Sequence, residues 1–61
     1  MTHTSEITKE LFYKLVKTDT KVHEVKSENS YTDVIYIVED TRLFRRTQNN
    51  IANYYIVDIN S

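Results

Sequence analysis

The 61-residue chain has no glycine, proline, cysteine or tryptophan, and each absence closes off a class of explanation. Without cysteine there is no disulfide framework and no thiolate metal centre. With only His3 and His23 as ring-nitrogen donors, a structural zinc has too few ligands, so neither metal nor cofactor is expected. Without glycine there is no phosphate-cradling loop, nucleophile elbow or dinucleotide-binding turn, because each needs backbone that a side chain obstructs. No apolar run approaches the roughly 18 residues that cross a bilayer, and no charged start leads into an apolar stretch. The sequence therefore predicts neither membrane span nor signal peptide, and the expected location is cytoplasmic.

A strong overall charge is also missing. The formal net charge is −1, and the basic residues are segregated: all five Lys lie between Lys9 and Lys26, and all three Arg between Arg42 and Arg46. A near-neutral chain attracts polyanions weakly over long range, so binding to nucleic acid would fall to the Arg cluster alone.

What is present begins with the turns, which pass to Asn, Asp and Ser when Gly and Pro are lacking. Asn49-Asn50 tolerates the positive φ angles of a two-residue type I′ hairpin better than any other non-glycine pair. Further turns are expected at Asp19-Thr20, within 27–30 and at Glu39-Asp40. Ile7, Leu11, Phe12, Leu15 and Val16 recur at helical spacing against Glu6, Lys9, Glu10, Lys14 and Lys17, which predicts an amphipathic helix over 5–17 capped by Thr4 or Ser5. Only Tyr13 interrupts its polar side. Residues 21–26, 31–38, 41–48 and 51–59 are rich in Val, Ile, Tyr, Thr and Phe and read as strands. There is no internal repeat, low-complexity tract or linker. The expectation is a single α+β domain over 1–61, one N-terminal amphipathic helix packed on a three- or four-stranded antiparallel β-meander.

Turning the hairpins at Glu39-Asp40 and Asn49-Asn50 sets the register. Ile35, Phe44 and Tyr55 fall in one cross-strand row and Tyr36, Leu43 and Ile56 in the next, facing the opposite way. One face then carries Ile35, Ile37, Phe44, Ile51, Tyr55, Val57 and Ile59. The other carries Val34, Tyr36, Val38, Leu43, Ala52, Tyr54 and Ile56. One helix covers only one apolar face, and a chain of this length buries surface inefficiently, so the second face calls for a partner.

That partner surface is assigned to Tyr13, Tyr36, Leu43, Tyr54 and Ile56, since buried tyrosines anchor protein interfaces. The corresponding function is a small non-enzymatic regulator or inhibitor that acts on a larger protein and is itself a homodimer, joined through the second sheet face. A second reading takes Arg42, Phe44, Arg45 and Arg46 as a nucleic-acid surface, with rings stacking on bases and Arg engaging phosphate. The same register places Arg46 opposite Asp33 and Arg45 opposite Tyr54, where an ion pair and a cation–π contact account for both cations without a ligand. A third reading makes the chain a structural subunit of a larger assembly. Catalysis finds no support: His3 and His23 lack visible partners, and the adjacent Glu39 and Asp40 sit on a tight turn that points into water.

Overall fold

In the computed structural model, which describes residues 3–58, Asn49 and Asn50 adopt φ angles of 53° and 65°, the left-handed pair that a type I′ hairpin requires. They join two eight-residue strands, here β4 (Thr41–Gln48) and β5 (Ile51–Asp58). The preceding turn at Glu39-Asp40 joins β4 to β3 (Thr32–Val38), and Glu39 also lies at positive φ, 57°. With both turns as expected, Ile35 faces Phe44 and Phe44 faces Tyr55, while Tyr36, Leu43 and Ile56 form the adjacent row.

The α+β meander described from the sequence needs correction at its N-terminal end. His3–Ile7 is a strand, β1, pairing antiparallel with β5 from His3↔Asp58 to Ile7↔Tyr54. The helix α1 spans only Lys9–Leu15, about two turns, and its cap is Thr8 rather than Thr4 or Ser5. The Thr8 hydroxyl accepts from the Leu11 N–H at 3.1 Å, and its carbonyl accepts from the Phe12 N–H at 2.9 Å. At the other end Val16 leaves helical geometry with ψ 94° while its N–H still donates to the Phe12 carbonyl at 2.8 Å. With β2 (Val22–Ser27) paired on β3, the molecule is one five-stranded antiparallel sheet in the order β1-β5-β4-β3-β2 with a short helix across one face. It is not a helix followed by three or four strands. Ile7 explains the confusion: its helical spacing from Leu11 is real, but it reaches the same core from a strand.

The strand β2 contains a bulge at His23, because Val22 pairs with Tyr36 and Glu24 with Ile35. The extra residue brings Val22 and Val25 to one side of the sheet, although a regular strand would point them apart.

The core lies between α1 and the Leu43 side of the sheet. Phe12 and Leu43 are fully buried and Val16 nearly so, ringed by Ile7, Leu15, Tyr36, Val38, Tyr54 and Ile56. The Phe12 ring meets Tyr36 and Tyr54 at centroid distances of 5.9 and 4.9 Å and its helical neighbour Tyr13 at 5.1 Å. Such tilted and edge-on contacts suit the aromatic quadrupole. No helix among the described residues is long and apolar enough to cross a membrane.

Candidate functional site

The helix settles which sheet face is open, and it is the reverse of the expected one. Tyr36, Leu43, Tyr54 and Ile56, the sequence-based partner surface, lie beneath α1, and Leu43 has no exposed area. Leu43 is core, and Tyr36, Tyr54 and Ile56 are half-buried against it. The reason is local: Phe12 and Val16 point from the helix toward this side, and the sequence pattern, apolar on both faces, did not distinguish the two. The fifth residue of that set, Tyr13, remains 43% exposed on the outer flank of the helix.

Tyr13 is nevertheless engaged. Arg45 Nη1 donates to Tyr13 Oη at 2.9 Å, and the Tyr13 ring stands edge-on to Tyr54 at 5.7 Å. The Arg45 hydrogen bond holds the Tyr13 phenol below its ordinary pKa, while burial, reinforced by Tyr13, raises that of Tyr54. Arg45 is itself held more firmly protonated by Tyr13. The cross-strand pair Arg45–Tyr54 exists as expected, yet the guanidinium reaches a hydroxyl on the helix in place of the Tyr54 ring face.

The open face consists of side chains from alternate positions on all five strands. Its central row runs Glu6, Tyr55, Phe44, Ile35, Glu24 across β1, β5, β4, β3 and β2. The Phe44 and Tyr55 rings stack with centroids 4.9 Å apart and planes 21° apart. The next row places Val57, Arg42 and Ile37 side by side, with Ile37 at 36% exposure. On the opposite flank Ile51 is exposed, while in the central row Ile35 keeps only 8% exposure. Ile59, assigned to this face from the sequence, lies outside the described residues.

One polar element is built into the face. Arg46 Nε and Nη2 donate to the two carboxylate oxygens of Asp33 at 2.8 and 2.9 Å, a bidentate fork that compensates the burial of Asp33. Asp33 raises the Arg46 pKa further above its ordinary value. The same guanidinium lies 4.0 Å above the Tyr31 ring and 5.5 Å from Phe44. The expected Asp33–Arg46 pair is thus present, and the cation–π partner is Tyr31, which the sequence reading passed over because position 31 lies at a strand margin. Of the proposed nucleic-acid residues, Arg42, Phe44 and Arg46 share this face while Arg45 is on the other. The face carries as many carboxylates, Glu6, Glu24 and Asp33, as cations, Lys26, Arg42 and Arg46. It is apolar at its centre and electrically balanced at its rim.

Among the described residues no group of three His, Cys, Asp or Glu side chains is close enough to hold a metal ion. His3 and His23 are exposed on the two edge strands. No family model matches the chain, and neither a curated protein nor a solved structure is significantly similar to it.

Proposed function

We propose that the chain is a small non-enzymatic regulatory or inhibitory protein that acts, as a cytoplasmic homodimer, by laying its open sheet face on a larger protein. The observation that carries this reading is the stacked Phe44–Tyr55 pair with Ile37 and Val57 beside it on the face opposite the helix. An apolar sheet surface left uncovered in so small a domain is the kind of surface that partners bury. Stacked rings of this type anchor interfaces when desolvated. Charge balance at the rim favours a protein surface over a polyanion, and the Arg46 fork is already filled by Asp33.

The test uses immobilised parent chain and an Ile37→Asp variant as baits, followed by calorimetry of any retained protein after purification. A protein that binds the parent with a negative heat-capacity change and does not bind Ile37→Asp supports the reading. Equal binding to both baits removes the open face from the function. The nucleic-acid reading retains Arg42, Phe44, Tyr55 and Tyr31 on one face as its support and is tested separately. Labelled single-stranded DNA and RNA titrated at two salt concentrations should bind with a steep salt slope if it holds.

A further inference from the structure

We propose that two copies of the chain join through β2, antiparallel about a two-fold axis at Val25, so that their sheets become one sheet of twice the width. This deepens the homodimer reading above and supplies its interface. The strand β2 is one of the two edges of the sheet, all six of its residues are exposed, and an edge strand offers unpaired backbone N–H and C=O groups along its free side. Val25 is 57% exposed and Val22 49%, and the His23 bulge sets them on the same side of the sheet.

The register follows from symmetry. A two-fold axis perpendicular to a sheet preserves its faces, so facing residues must have the same parity and the axis must pass through a residue. Centred on Glu24, the strands would oppose two carboxylates; centred on Lys26, two ammonium groups. Centred on Val25, Glu24 of each copy faces Lys26 of the other, twice, and the two Val25 side chains meet on the helix side. Ser27 then faces His23, where the bulge ends the regular edge. Charges on an edge usually repel a foreign strand, whereas the order Glu24-Val25-Lys26 repels strands in other registers and attracts its own copy. The other edge, β1, lacks this property: centred on Ser5, it sets Thr4 against Glu6. The resulting dimer has both helices on one side and both Phe44–Tyr55 faces on the other, a doubled surface for the larger protein.

Sedimentation equilibrium tests the arrangement, with circular dichroism confirming the fold of each variant. The parent is expected to dimerise, and Glu24→Lys or Lys26→Glu alone should weaken self-association roughly tenfold or more, since two facing pairs become repulsive. An equimolar mixture of these two variants should dimerise again, as should the double variant E24K/K26E, because every facing pair is then of opposite charge. Ile37→Asp should leave the dimer mass unchanged. A parent that stays monomeric up to about millimolar concentration, single variants that associate like the parent, a mixture that does not recover, or a dimer abolished by Ile37→Asp each overturns the edge pairing. The bait experiment reads the open face independently, so the failure of one proposal is distinguishable from the failure of the other.

Discussion

Phe12→Ala should come close to unfolding the domain. The ring has no exposed area and touches Tyr13, Tyr36 and Tyr54, with Leu43 and Val16 in the same buried cluster. Truncating a fully buried Phe costs about 3–5 kcal/mol, combining lost transfer energy with the cavity left behind. At ~0.05–0.15 kcal/mol per residue, a chain of this length has roughly 3–9 kcal/mol of stability in total. The helix offers no reserve, since its seven residues are far below the length at which a helix persists alone in water. With an m-value of about 1 kcal/mol/M in urea, the midpoint should fall by ~3 M or more. Urea titration followed by circular dichroism and tyrosine fluorescence measures this, with Leu11→Ala as the control because Leu11 is already 41% exposed. A Phe12→Ala midpoint within about 1 M of the parent would refute the placement of the core beneath the helix.

Other perturbations act on separate features. Arg46→Ala leaves the buried Asp33 carboxylate without its fork and should cost about 1.5–3 kcal/mol in urea unfolding, while Arg46→Lys recovers only part because an ammonium lacks the planar pair of donors. Glu39→Gly should stabilise by roughly 0.5–1 kcal/mol, a rise in Tm of ~2–8 °C, since Glu39 holds a left-handed φ of 57° that Gly adopts without steric penalty. A fall in Tm would contradict that account. Alkaline stability should depend on the tyrosine pair with opposite signs. Tyr13, lowered when folded, adds stability that grows as pH rises through its folded pKa and is complete above the ordinary value of 10.0; Tyr54, raised when folded, adds stability complete below 10.0 and lost above it. Between about pH 9 and 11, Tyr13→Phe should therefore steepen the loss of stability with pH and Tyr54→Phe should flatten it, as read from urea midpoints at each pH.

The legible part of the fold was the part governed by neighbours in sequence. The Asn49-Asn50 turn, the β-branched and aromatic run Val34 to Val38 and the two hairpin registers all depend on short-range geometry, so the rows through Phe44 and Leu43, and with them the Asp33–Arg46 pair, could be read directly. The first strand could not. Thr4, Ser5 and Glu6 are good helix-start residues with no strand alternation, and they become a strand only because β5 presents a free edge far along the chain. The open face was misassigned for a related reason. Both faces are apolar, and only the one-residue junction at Thr8 and the direction of Phe12 decide which one the helix takes. Tyr31 escaped notice because its value as a platform for Arg46 arises across strands.

The position of β5 between β4 and β1 has a kinetic consequence. The hairpins of β2, β3 and β4 close over short loops, but Ile7 must wait for Tyr54 and His3 for Asp58 before β1 has any partner. The helix, tethered to β1, packs through Phe12 on β3, β4 and β5 together. During synthesis the first strand therefore leaves the ribosome well before the strand it pairs with. The final step should be the arrival of β1 on β5, at the slower rates of folds built from distant contacts, with the interval before it as the chain's window of exposure to aggregation and to chaperones.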